Sequence, residues 1–140
     1  MFVLDSNVLS EVMRAHPEPA VLDWMDRQPV TELFTAANCE AEIRFGIATL
    51  PAGGRREGLR RSADRVFRGF LRGRILPFDS EAAQRFAVLA ADRRRAGHPM
   101  SINDAQIAAV AASHGATLAT RNTRHFRECG IHIINPWETA

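Results

Sequence analysis

The sequence predicts an α/β fold in which a parallel, about five-stranded central sheet is covered by helices on both faces. Short apolar runs alternate with longer stretches of helical periodicity along the whole chain, the pattern left by strand-helix units that build a parallel sheet. Breaks fall at Pro17, Pro29, Pro51 to Gly54, Gly97 to Pro99 and Gly115, and no linker is long enough to separate two domains. The 140 residues therefore read as a single domain, 1–140, able to bury an ordinary core.

The run Phe2 to Leu4 is too short for a helix and predicts a first buried strand ended by Asp5. Ser6 and Asn7 are N-cap types before the periodic Val8, Leu9, Val12 and Met13, so a helix is expected over about 6–14. A second helix over about 18–27 precedes a strand at Glu32 to Thr35. Asn38 is placed to cap a helix over 38–50 whose buried side is Ile43, Gly46, Ile47 and Leu50. At about 100° per residue, Glu42 borders that side and Glu40 turns away from it. The helix over 55–72 has an apolar stripe of Leu59, Ala63, Val66, Phe67 and Phe70, with Arg61, Arg65, Arg68 and Arg72 opposite. Then come a strand at Ile75 to Pro77, helices over 80–97 and 103–114, a strand at Thr117 to Ala119, a short helical stretch near 123–128, and a strand at His132 to Ile134.

Apolar content of 46% and charged content of 24% are ordinary for a soluble globular protein. Asp5 interrupts the N-terminal apolar residues and no cationic region precedes them, so neither a secretory leader nor a membrane span is expected. Cys39 and Cys129 lack metal-type spacing and read as small buried hydrophobes in a reducing cytoplasm. All 18 basic residues are arginine. That excludes the lysine-dependent phosphate loop of Walker type and disfavours other α/β folds that set a lysine beside their acids. Residues 55–74 hold eight arginines against Glu57 and Asp64, a formal +6, and the rest of the chain carries −4. A basic ridge so segregated from an acidic cleft suits a polyanion, although a merely solvated helix face accounts for it equally.

Three acids far apart in the chain, Asp5, Glu42 and Asp104, each fall at a strand end or in the first turns of a helix. There they can converge on one cleft, the residue chemistry of a divalent-metal site. Each also has a local explanation: Asp5 as a helix cap, Glu42 as a dipole partner, and Asp104 as the acid of the capping pattern Ser101-Ile102-Asn103-Asp104. Thr120-Arg121-Asn122, ending a second strand as Asp5 ends the first, favours the shared site.

These segments resemble a known family. Val3 to Glu11 is similar to the opening of PIN-domain nucleases, particularly the VapC-type toxins of toxin-antitoxin pairs. Glu42-Ile43-Arg44-Phe45-Gly46-Ile47 resembles their second acidic motif, Ser101 to Ala109 the third, and Thr120 to Phe126 the fourth. The closing Asn135-Pro136-Trp137 resembles the FitB-like branch. The resemblance implies a three-layer α/β/α PIN-like domain and a bacterial, cytoplasmic, Mg²⁺- or Mn²⁺-dependent endoribonuclease. Asp5, Glu42 and Asp104 are the implied metal ligands, and Asn122 completes the catalytic set. Activated water would cleave RNA to leave a 3′-hydroxyl and a 5′-phosphate. The implied partners are a VapB- or FitA-like antitoxin that blocks the cleft and, through that complex only, operator DNA. A homodimer, possibly a tetramer, is expected, with the exposed parts of the first four helices as docking surface.

Two positions depart from the pattern. Asn122 stands where the family often has a carboxylate, and His125 where an acid is common three residues later. Fewer charges predict one tightly held ion rather than two. Two other readings stay open: a non-catalytic nucleic-acid-binding or regulatory subunit, and a hydrolase of small phosphoesters.

Overall fold

A computed structural model of the chain describes residues 1–139; Ala140, the last residue of the expected domain, lies outside them. In chain order the regular elements are β1 (Phe2–Leu4), α1 (Ser6–Val12), α2 (Pro19–Asp26), β2 (Leu33–Ala36), α3 (Ala37–Ala48), α4 (Gly54–Asp64), β3 (Ile75–Leu76), α5 (Ser80–Arg95), α6 (Ile102–Ser113), β4 (Thr117–Ala119) and β5 (Ile133–Ile134). The strands form one sheet in the order β3-β2-β1-β4-β5, and every pairing is parallel. Right-handed crossovers put the helices of the β1-β2-β3 half on one face and those between β3 and β4 on the other, which gives the three layers.

Register follows burial. Phe2, Val3 and Leu4 pair with Leu33, Phe34 and Thr35 on one side and with Thr117, Leu118 and Ala119 on the other. Val3, Leu4, Leu118 and Ala119 are wholly buried, as strands covered on both faces require. In α6, Ala105, Ile107, Ala108, Ala109, Val110 and Ala111 are all buried, so this helix is enclosed nearly all round and its alanines admit close neighbours. The chain reverses its direction of sheet growth between β1 and β4, so the carboxyl ends of these two strands open on the crevice where such sheets bind ligands. No described helix is long and apolar enough to cross a membrane.

Several local expectations are corrected. The second strand begins at Leu33 and runs to Ala36, the third stops at Leu76 and the last begins at Ile133. α3 starts at Ala37 after Ala36, without a side-chain cap; Asn38 instead donates to Gln106 of α6 at 3.0 Å. The arginine-rich helix ends at Asp64 and continues as a wide π turn over Arg65–Phe70, in which the Leu71 N–H reaches the Val66 carbonyl at 2.8 Å. The wider turn moves the stripe out of its 3.6-residue register. Leu71 is thereby fully buried, and Phe70, expected inside, is exposed. Arg61, Arg65, Arg68 and Arg72 are exposed as expected. Cys39 is buried, whereas Cys129 is only half-buried, with its Sγ 3.4 Å from Met100.

Candidate active site

Asp5 ends β1, and its backbone N–H extends the ladder to the Ala119 carbonyl at 2.9 Å. It is the N-cap of α1, with Oδ1 accepting from the Ser6 N–H at 2.8 Å, so the capping reading of Asp5 holds. Its Oδ2 accepts from Thr120 Oγ1 at 2.7 Å and from Asn7 Nδ2 at 3.3 Å. Only 4% of Asp5 is exposed. Burial is the strongest influence on its carboxyl and lifts it above the usual carboxylate range. The hydrogen bonds from Thr120 and Ser6 oppose that rise, and the charges of Glu42 and Asp104 add to it. Asp5 therefore feels both of the other predicted acids across the cleft. Burial and the nearby Asp5 charge likewise push the Cys39 thiol upward, which keeps it a neutral packing group.

Glu42 and Asp104 come from two helices. Glu42 is exposed on α3, while Glu40, expected to turn away, is half-buried and paired with Arg44 at 2.7 Å. The covered side of α3 is Cys39 and Ile43, with Ile47 and Leu50 half-covered and Gly46 open. Glu42 accepts from Ser6 Oγ at 2.8 Å and from the Asn103 side-chain amide, which ties α3 to α1 and α6. Asp104 lies in the first turn of α6, where its N–H bonds to the Ser101 cap at 3.1 Å; its Oδ2 stands 3.3 Å from His125 Nδ1.

Asn122 is exposed just beyond β4, with its N–H bonded to Thr120 Oγ1 at 3.1 Å. Asn7 binds Thr120 Oγ1 at 3.2 Å and accepts from the Arg121 N–H at 3.2 Å, clamping the fourth segment to the first. Thr120 was expected only as part of its segment and Asn7 only as a cap type; their side-chain bonds to Asp5 were not foreseen. The available signal was a hydroxyl residue directly after the apolar run of β4, two positions before Asn122.

Among the described residues, no three His, Cys, Asp or Glu side chains are gathered closely enough to hold one ion as they stand. The donor chemistry nonetheless fits a hard divalent cation. The set is oxygen-rich, Asp5 and Glu42 have no ion-pair partner among the described residues, and Asp104 faces only His125. Glu42 is exposed and Asp104 keeps 25% of its side chain open, so both carboxylates border the cleft. An apolar groove of about 350 Å³, lined by Met13, Ile43, Ile47, Leu50 and Leu59, runs up to Ser6 and Glu42.

A parallel sheet of this order, with Asp5, Glu42 and Asp104 set around the carboxyl ends of β1 and β4, defines an α/β protein with an acidic cleft at the point where its strand order reverses. Residues 2–131 match the family model described as the PIN domain. The chain is 44% identical over 140 residues to the VapC ribonuclease Y4jK of Sinorhizobium fredii, covering 100% of both. It is 34% identical over 137 residues to the toxin FitB of Neisseria gonorrhoeae, covering 98% of this chain and 99% of that one. A solved structure of FitAB bound to an IR36 DNA fragment superposes with a TM-score of 0.92 at 33% identity, over 100% of this chain and 98% of that one. The chain belongs to the PIN-domain family, in the branch of the VapC and FitB toxins.

Proposed function

We propose that the chain is the toxin of a toxin-antitoxin pair, a metal-dependent endoribonuclease in which Asp5, Glu42 and Asp104 hold Mg²⁺ or Mn²⁺ and Asn122 offers a fourth oxygen. The observation that carries this reading is the buried Asp5 carboxylate, held by Thr120 and Ser6 and faced by two further acids. A cation bound there supplies the positive charge that lowers the pKa of an attacking water and stabilises the phosphoryl oxygens. The protein's own contribution is placement. Thr120 and the Ser6 N–H fix both Asp5 oxygens, while Ser6 Oγ and Asn103 position Glu42. Water attacks phosphorus in line, the new P–O bond forms as the P–O3′ bond breaks, and the products are a 3′-hydroxyl and a 5′-phosphate.

The groove beside Glu42 suits an antitoxin segment whose apolar side chains pack on Met13, Ile47 and Leu59 while a basic side chain reaches the acids. The FitAB structure with DNA supports an antitoxin partner and operator DNA reached through that complex. Phe45 of α3, 71% exposed, gives apolar area on the helices expected to carry the docking surface.

RNA cleavage by the purified chain tests the proposal. Cutting is expected with Mg²⁺ or Mn²⁺, none with chelator, and loss in Asp5→Asn or Asp104→Asn proteins that keep their fold. Folded wild-type protein that binds RNA but never cuts it would leave the non-catalytic reading, and hydrolysis of a phosphomonoester with indifference to RNA would leave the third.

A further inference from the structure

Asp104 Oδ2 and His125 Nδ1 stand 3.3 Å apart. Two donors at neighbouring corners of an octahedral ion, each about 2.1 Å from it, are themselves about 3.0 Å apart. This pair is therefore close to the spacing that a shared cation requires. The arrangement is fixed by the fold. His125 lies in the 3₁₀ turn Thr123–Phe126, whose neighbouring Phe126 is wholly buried, and the His125 N–H closes the turn on the Asn122 carbonyl at 3.0 Å. With Phe126 anchored in the core, the turn presents the preceding imidazole to the first turn of α6. His125 keeps 58% of its side chain exposed, so it is present at the cleft rather than in the packing.

We propose that His125 is a nitrogen ligand of the cation held by Asp104, and that it biases the site toward divalent first-row transition ions such as Mn²⁺ over Mg²⁺. The inference rests on the metal-site reading above. Its chemical basis is donor preference. Imidazole nitrogen suits transition ions, whereas Mg²⁺ takes oxygen and parts reluctantly with water. In this chain an amide occupies position 122 and an imidazole position 125, so the donors on this segment include a nitrogen that a site made only of carboxylates lacks.

Mn²⁺ is the probe, because its electron spin reports both its binding and its ligands. The full-length chain is loaded with one equivalent of Mn²⁺, and pulsed electron paramagnetic resonance is recorded for wild type and for His125→Gln, with circular dichroism as the check on folding. A nitrogen coupling of directly bound imidazole is expected in wild type and is lost in the variant. Mg²⁺ competition is expected to displace Mn²⁺ from His125→Gln at about one tenth of the concentration that wild type needs, the scale on which loss of a group supporting a metal site is felt. Bound Mn²⁺ without nitrogen coupling in wild type, or a coupling that survives in the variant, would overturn the proposal and leave the metal site standing. Absence of any bound Mn²⁺ in wild type would overturn both.

Discussion

Replacing Asp5 with Asn changes the charge of a buried group at nearly constant shape, and the structure sets two opposing consequences. The carboxylate accepts short hydrogen bonds from Thr120 Oγ1 at 2.7 Å and the Ser6 N–H at 2.8 Å. Charge-assisted bonds contribute about 1 kcal/mol more each than neutral ones, so the amide loses roughly 2 kcal/mol there. Against that stand the burial of an ion and its repulsion by Glu42 and Asp104, effects that together outweigh the hydrogen bonds, because the carboxyl is raised. At neutral pH and without metal, Asp5→Asn should therefore match wild type or exceed it modestly. The sign with pH is fixed as well. A raised carboxyl binds more protons in the native state than in the unfolded chain, so its stabilising contribution is complete below the ordinary value near 4 and is lost as pH rises through the folded value. Asn has no such dependence. Urea unfolding followed by circular dichroism in chelator, from about pH 4 to about pH 8, should show wild-type stability declining relative to the variant as pH rises. A variant more than about 2 kcal/mol less stable at neutral pH, or parallel pH profiles, would refute the reasoning.

Three further outcomes are expected. Asn122→Asp should tighten Mn²⁺ binding by roughly tenfold in calorimetry, the effect of one added charge at a partly screened distance; unchanged affinity would mean that residue 122 does not face the ion. Arg61 and Arg72 are exposed. Changing both to Gln in the Asp5→Asn background should lower the salt slope of RNA binding by about one to one and a half units if both touch phosphate, and an unchanged slope would leave them as a solvated face. Light scattering should give a dimer or tetramer for the free chain at micromolar concentration, and a monomer would count against the expected assembly.

Much of the fold was legible because its signals are local. Phe2 to Leu4 and Thr117 to Ala119 are short apolar runs with abrupt polar ends, and the structure pairs them as the central strands. Asp5 and Asp104 could be placed because strand ends and helix caps have side-chain signatures. What stayed hidden depends on contacts between distant segments. Asn38 looks like a cap in isolation, but Gln106, 68 positions away, takes its amide. Glu42 borders the buried side on a helical wheel, yet it emerges exposed beside an open groove, held there by Ser6 and Asn103 from two other helices. The π turn that turns Phe70 outward inserts a wider turn into a stripe whose 3.6-residue spacing gave no warning. Thr120 is a β-branched residue at a strand end, and only the folded register brings its hydroxyl onto Asp5.

The claim that most needs testing is that Asp5, Glu42 and Asp104 act on one cation. Calorimetric titration of chelator-stripped protein with Mn²⁺, run side by side on wild type, Asp5→Asn, Glu42→Gln and Asp104→Asn, addresses it directly. One ion per wild-type chain and a weakening of about tenfold or more in each variant, at least 1.4 kcal/mol, is the predicted result. Undiminished affinity in any two of the three folded variants would contradict a shared site.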